Sequence, residues 1–241
     1  MCTVTIIPKG DNDFVLTSNR DEAPNRVSLP PDFYINKETR LLYPMDKLSG
    51  GTWIGLSEKN RVVCVLNGAF NIHERQEDYL KSRGVIALDF LTSESISTTA
   101  EAYDFINIEP FTMVLVDWNT TLKFYELVWD GAEKHFKELP LEPKIWSSST
   151  LYTAAMKQER LQWFEDFKAE NDLNAQTLLR FHKTAGADNK EFGVVMNRGF
   201  VKTTSITQIE KFRESLEMYH ENLQNKTISS KTFKLSETVN D

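Results

Sequence analysis

Cys2, the second residue of the chain, has the placement with the most chemical consequence. A residue this small in second position permits removal of Met1, which would leave Cys2 carrying a free α-amine. An α-amine titrates at roughly 7.7 to 8.0 and a thiol at about 8.5, so one residue would then supply both a nucleophile and a base near neutral pH. No distant histidine is required. That suits a chain whose 4 histidines, His73, His135, His182 and His220, form no Cys/His pattern. Position alone leaves a second reading open, in which Cys2 is a small apolar residue opening an edge strand.

Asn19-Arg20-Asp21-Glu22 follows directly on an apolar run. In a hairpin that begins at Cys2, the far end of the returning strand comes back beside Cys2. An Asp there can hold the α-amine by a charge-assisted hydrogen bond, and an Arg can favour thiolate over thiol; a solvated charged turn is the alternative. Gly50-Gly51-Thr52-Trp53 offers either a pocket floor or a tight turn. Asn67 ends an apolar strand, where its amide can donate to a developing oxyanion or cap a turn. Trp146-Ser147-Ser148-Ser149 either supplies donors or caps a helix beginning near Leu151. Cys64 lies inside a strand and reads as core.

These residues must be positioned by the elements around them. Residues 2 to 8 and 13 to 19 read as a hairpin joined by Lys9-Gly10-Asp11-Asn12. A Pro-containing stretch, 23 to 48, reads as irregular. TWIGLS and RVVCVLN form a second hairpin with a three-residue connection, Glu58-Lys59-Asn60. Residues 76 to 106 carry helix formers with a Ser/Thr break and a second short helix around 98 to 105. FTMVLVD, TLKFYELVW and EKHFKELP read as three consecutive strands. Residues 151 to 170 place Leu151, Ala155, Leu161, Phe164 and Phe167 on one helical face, and another helix fits 174 to 184. EFGVVMN and FVKTTSITQI return to strand character, 210 to 224 fits either a helix or a strand, and the polar tail after Asn225 is expected to fray. Strands grouped in hairpins and helices grouped in pairs predict an α+β domain spanning 1 to 241, consistent with a four-layer α/β/β/α sandwich.

Composition narrows the function classes. The 241 residues are 40% apolar and 26% charged with a formal net charge of -7, which describes an ordinary globular chain and disfavours nucleic acid as a partner. With 2 cysteines there is no disulfide framework and no Cys-based zinc pattern, so a reducing, cytoplasmic setting without a metal or other cofactor is expected. There is no basic leader and no apolar run of transmembrane length.

Cys2, NRDE at 19 to 22, GGTWIG at 50 to 55, LNG at 66 to 68, SSSTLYT at 147 to 153 and VMNRGFVKTTSITQI at 195 to 209 together resemble the NRDE family, whose eukaryotic members are called Transport and Golgi organization protein 2. The resemblance implies a branch of the N-terminal-nucleophile hydrolases, similar to penicillin V acylases and bile salt hydrolases, which cleave linear amides through an N-terminal Cys. It implies Cys2 as nucleophile, Asp21 as the carboxylate that positions it and Asn67 as an oxyanion-hole residue. Those hydrolases carry an Arg three residues before the Asp, where this chain has Ser18; Arg20 lies on the same strand face as Ser18. They carry an Asn in the later loop, where this chain has Ser148. The late basic residue matches either Arg198 or Lys202, and Trp53 and Trp146 flank the matched positions as substrate-binding candidates. The activity implied is hydrolysis of a linear amide or ester of a small acyl compound. The alternative implied is a non-catalytic carrier of lipid, acyl-CoA or haem.

Overall fold

The computed structural model describes residues 2–10, 12–76 and 78–234, with residue 2 described by its backbone alone. Removal of Met1, the Cys2 thiol and residues 235–241 therefore lie outside what is described.

β1 (Cys2–Lys9) and β2 (Asp13–Glu22) form the expected hairpin. The stretch expected to be irregular instead forms a second one, β3 (Ser28–Asn36) and β4 (Thr39–Asp46). Its signals are masked. Pro30 and Pro31 sit where the register shifts between Leu29 and Asp32, on an edge strand that tolerates missing donors. The turn residues Lys37 and Glu38 take φ values of 47° and 63° without a glycine. β5 (Ile54–Ser57) and β6 (Arg61–Asn67) follow, joined through Asn60 at φ 51°. β7 (Phe111–Asp117), β8 (Lys123–Trp129) and β9 (Lys134–Leu139) complete a seven-stranded antiparallel sheet in the order β3-β4-β5-β6-β7-β8-β9.

The second sheet has six strands in the order β10-β1-β2-β11-β12-β13. Its β10 (Lys144–Ser147) is too short to be read from the sequence, and it pairs with β1 across Thr3–Ser147 and Val4–Trp146. β11 (Lys202–Phe212) and β12 (Ser215–Asn222) settle the ambiguous 210–224 region as a hairpin. Residues 227–233, expected to fray, instead form β13 (Thr227–Phe233), which pairs with β12 along its length and buries Phe233. EFGVVMN does not form a strand; it runs irregularly through turns to one isolated bridge, Asn197–Lys202. Its Gly193 packs on the Gly186 and Asn189 carbonyls too closely for any side chain.

The sheets face each other over a core of Val4, Ile6, Phe14 and Leu16 from one and Leu56, Val62, Val114 and Phe124 from the other. Helix α1 (Arg83–Thr92), which begins at the Ser82 cap rather than near residue 76, covers the outer face of the seven-stranded sheet together with α2 (Ile96–Ala102). Buried Arg61 fastens α1 there by donating to the Phe90, Ser93 and Glu94 carbonyls, satisfying acceptors left open at the helix end. Helices α3 (Ala154–Glu170) and α4 (Ala175–Thr184) cover the six-stranded sheet through Phe164, Leu178 and Phe181 against Ile7 and Val15. The layer order is α/β/β/α.

A buried polar bolt ties α4 to the sheet. Asn19 donates through Nδ2 to the His182 carbonyl (2.9 Å) and the Val194 carbonyl (2.6 Å), and its Oδ1 lies 2.7 Å from His182 Nδ1. His182 Nε2 lies 2.8 Å from the Thr5 hydroxyl. Because Asn Oδ1 can only accept, Nδ1 carries the proton and Nε2 accepts from Thr5, which is the neutral imidazole. Burial, reinforced by the Arg160 charge, pulls the His182 pKa from 6.5 to about 3. The unfolded chain therefore binds the proton first, and the stability from neutral His182 is fully present above pH 6.5 and lost as pH falls below it. The expected loss at pH 5 is about 2 kcal/mol from His182 alone. Urea unfolding at pH 7.5 and pH 5 measures it: His182→Gln should be less stable at pH 7.5 and show a smaller fall on acidification, and a parent-like fall would place the titration elsewhere.

Candidate active site

The alternation of β2 divides the Asn19-Arg20-Asp21-Glu22 run between two environments. Asn19 and Asp21 face the helices; Arg20 and Glu22 face the space between the sheets, as does Ser18. Arg20 is the register partner of residue 2, and Asn19 is the partner of Thr3.

Arg20 and Glu22 open into a cleft of about 500 Å³ with Trp53, Asn67, Asp46, Arg26 and Arg83 also on its walls. Arg20 Nη2 lies 2.7 Å from Asp46 Oδ2 and 3.7 Å from Glu22 Oε2, and its guanidinium sits 4.6 Å from the centroid of the Trp53 ring. Arg26 shares both carboxylates, at 2.8 Å from Asp46 and 3.5 Å from Glu22. Burial alone would raise the Asp46 pKa, but the Arg26 hydrogen bond, the Ser49 amide and the charges of Arg26 and Arg20 outweigh it and hold the carboxyl below its ordinary range. Arg83 pairs with Glu109 at 3.0 Å, and burial brings its pKa down to about 10, so it stays charged at neutral pH.

Gly50-Gly51-Thr52-Trp53 builds the floor of this cleft by close packing. Gly50 takes φ +68°, and a Cβ on Gly51 would come within 2.4 Å of the Gly84 carbonyl carbon at the start of α1. Backbone contact at Gly51 thus lets Trp53 lie under Arg20 while α1 stays seated. Asn67, half-buried at the end of β6, lines the same cleft, and its amide has no hydrogen-bond partner among the described residues.

Asp21 has a different setting. It is fully buried, accepting from the Tyr152 hydroxyl at 2.6 Å and the Thr203 hydroxyl at 2.7 Å. Burial raises its pKa, and the Arg160 charge and these two hydrogen bonds only partly offset the shift. Burial and the Asp21 charge push the Tyr152 phenol well above its ordinary value, so it stays a neutral donor. Arg160, also fully buried, lies 3.6 Å from the Tyr152 ring centroid, donates to the Phe192 and Gly193 carbonyls at 2.8 Å each, and reaches the Thr3 hydroxyl.

Ser148 lines neither this cleft nor the one beside it. Its hydroxyl donates to the Asn67 carbonyl at 2.7 Å and lies 3.0 Å from Thr150 Oγ1, which makes it a clamp on the Asn67 backbone. Trp146 lines a second cleft, of about 760 Å³, which meets the first at Ile72 and Thr150. Its indole donates to Glu126 at 2.6 Å. Arg198 braces the loop between β10 and α3, donating to the Leu151 carbonyl at 3.1 Å and lying 5.5 Å from the Tyr152 centroid. Lys202 begins β11 as the register partner of Glu22. The structure therefore groups Arg20, Trp53 and Asn67 in one cleft, Trp146 in its neighbour, and Asp21 with Arg198 around Tyr152.

Sequence reasoning did not single out Tyr152, Thr203, Arg160, Asp46 or Arg26. Tyr152 and Thr203 lie inside the SSSTLYT and VMNRGFVKTTSITQI segments, so the segments carried a signal although the residues were not distinguished. Arg160 carried none, being one polar residue on a mostly polar helix.

The family model described as Transport and Golgi organisation 2 matches residues 1–239. The mouse Transport and Golgi organization 2 homolog is 31% identical over 113 residues, a stretch covering 42% of this chain and 40% of that protein. Less than half of the mouse protein's length is thus matched. Among solved structures, a mutant of the conjugated bile acid hydrolase from Clostridium perfringens superposes with a TM-score of 0.53 at 12% identity, covering 99% of this chain and 98% of that one. The Caenorhabditis elegans ortholog of N-acylethanolamine-hydrolyzing acid amidase gives 0.59 at 10% identity over 86% and 92%. At such identities these likenesses establish the N-terminal-nucleophile hydrolase fold and nothing finer. With the family model matched from residue 1 to residue 239, the chain belongs to the Transport and Golgi organisation 2 family.

Proposed function

We propose that this chain is a cytoplasmic cysteine amidohydrolase acting on a linear amide or ester of a small acyl compound, with Cys2 as nucleophile once Met1 is removed. The observation that carries the reading is the uncommitted Asn67 amide on the wall of the cleft that also holds Arg20, the register partner of residue 2. Two proteins with this fold are named for hydrolysis, of a conjugated bile acid and of N-acylethanolamines, which makes such chemistry compatible with the scaffold. No helix among the described residues is long and apolar enough to cross a membrane.

In the proposed reaction the Cys2 sulfur attacks the carbonyl carbon while the α-amine takes the thiol proton. Asn67 Nδ2 donates to the oxyanion. The carbon–nitrogen bond breaks as the proton passes to the leaving amine, leaving a thioester that water hydrolyses to the acid and free thiol. Asp21 lies on the helix side of β2, away from Arg20, and so is suited to holding the α-amine; Tyr152 and Thr203 fix its two oxygens. One observation favours the carrier reading: the Ser148 hydroxyl is spent on the Asn67 carbonyl, so the later loop gives no side-chain oxyanion donor at that position.

Intact-mass analysis after incubation with a panel of N-acyl substrates and β-lactams should show loss of Met1 and one acyl adduct, mapping to Cys2. Cys2→Ser should abolish thiol labelling, Cys64→Ser should retain it, and Asn67→Ala should slow acylation by about 10² to 10³. An adduct on Cys64, or parent-rate labelling in the Asn67 variant, defeats the assignment.

A second test uses pH. Tyr152 donates to the Asp21 carboxylate and so lowers an otherwise raised pKa. Tyr152→Phe should therefore raise it further, and the acid limb of the acylation profile should move to higher pH. An unmoved limb would mean that Asp21 does not control the rate.

A further inference from the structure

The second cleft, of about 760 Å³, runs between β8, β10, the loop that follows β10 and the first turns of α3. Leu66, Phe70, Val128, Trp146, Leu151 and Leu161 make its walls largely apolar. Phe70 and Ile72 at its edge are 55% and 76% exposed, which leaves an apolar entrance open to solvent. The volume falls within the range of small-molecule sites.

Among the described residues two charged side chains line it, and they differ in one respect. Glu126 is matched by Lys137 at 2.8 Å and Lys144 at 3.4 Å, and it accepts from the Trp146 indole. Lys157 pairs with no carboxylate among the described residues. Its ammonium donates to the Ser149 hydroxyl at 2.6 Å, and Ser149 in turn donates to the Ala69 carbonyl. Burial holds the Lys157 pKa below its ordinary value, and no charge among the described residues acts to restore it. The first turn of α3 adds no acidic residue. An apolar cleft whose wall carries a half-desolvated cation with no carboxylate partner among the described residues selects a ligand that is apolar along its length and anionic at one end.

We propose that this cleft binds an aliphatic monocarboxylate, its chain along the apolar walls and its carboxylate on Lys157. The inference rests on the hydrolase reading in one respect, that such an acid is the product class released from an acyl amide; the binding itself needs no turnover.

Octanoate is the probe, titrated calorimetrically into the full chain carrying Cys2→Ala, which cannot form the acyl-enzyme. It should bind one per chain. Each buried methylene contributes roughly fourfold, so butyrate, four methylenes shorter, should bind roughly 250-fold more weakly. Octan-1-ol, with the chain but no charge, should bind roughly tenfold more weakly than octanoate, and Lys157→Met should weaken octanoate by a similar factor while leaving octan-1-ol unchanged. Lys157→Arg should retain octanoate binding, and Leu161→Glu, on a partly exposed wall residue, should weaken it by repulsion. Absence of octanoate binding, or equal binding by Lys157→Met, overturns the proposal. Failure of Cys2 acylation with octanoate binding intact would sink only the hydrolase reading, and acylation without octanoate binding would sink only this one.

Discussion

The two-residue period of β2 is the constraint on which the rest of the site depends. Asn19 and Asp21 enter the layer beneath α3 and α4, where water is excluded, while Arg20 and Glu22 enter the cleft between the sheets. A slip of one residue would place the guanidinium under the helices and the lone carboxylate in the inter-sheet core, each without a partner. Asn19 resists that slip, because its amide closes on two carbonyls and one imidazole nitrogen that only this register presents. On the neighbouring strand, the irregularity at Thr204 allows Thr203 to oppose Asp21 and Ser205 to oppose Arg20. Thr204 itself donates to the Arg20 carbonyl at 3.0 Å.

The two faces handle charge in opposite ways. Between the sheets, carboxylates and guanidiniums stand in alternation, so Asp46 keeps its charge despite burial. Under the helices, Asp21 has hydroxyl partners and a cation acting only through space, and burial prevails. Among the described residues Arg160 is not paired to a carboxylate either; its donors go to backbone carbonyls and to the Thr3 and Ser147 hydroxyls, and its face packs on Tyr152. Satisfying a buried guanidinium with carbonyls fixes its position, and with it the ring that carries the Tyr152 hydroxyl to Asp21.

Much of this was legible in the sequence wherever short-range pattern decides structure. The β1–β2 hairpin, the β5–β6 hairpin, the run from β7 to β9 and helix α4 each follow from alternation or helical spacing with a recognisable turn or cap. What escaped depended on partners distant in the chain. β10 has four residues and exists because β1 offers it an edge. β13 is mostly polar and buries only Phe233, leaving Ile228 exposed, which reads as a tail until β12 is placed beside it. In the site, Arg20 and Asn67 were visible as residue types at strand ends, whereas Tyr152, Arg160 and Thr203 converge on Asp21 only through the packing of α3 and β11 on β2.

The loop from Trp146 to Thr153 links the two clefts, since Thr150 lines both. Its contacts with the Asn67-Gly68 turn leave little slack: a Cβ on Gly68, which takes φ +83°, would come within 2.9 Å of the Thr150 methyl and 3.3 Å of the Ser149 Cβ. Ser148 adds a hydrogen bond to the Asn67 carbonyl, so the backbone of Asn67 is held from the loop side while its side chain is left to the cleft. A serine is well suited to that task, because its single short donor reaches the carbonyl without filling the space an amide would need. The same loop carries Ser149 to Lys157 and Tyr152 to Asp21. Displacing it would therefore alter the Asn67 wall, the cation of the second cleft and the environment of the buried carboxylate together, so these three features form one mechanical unit.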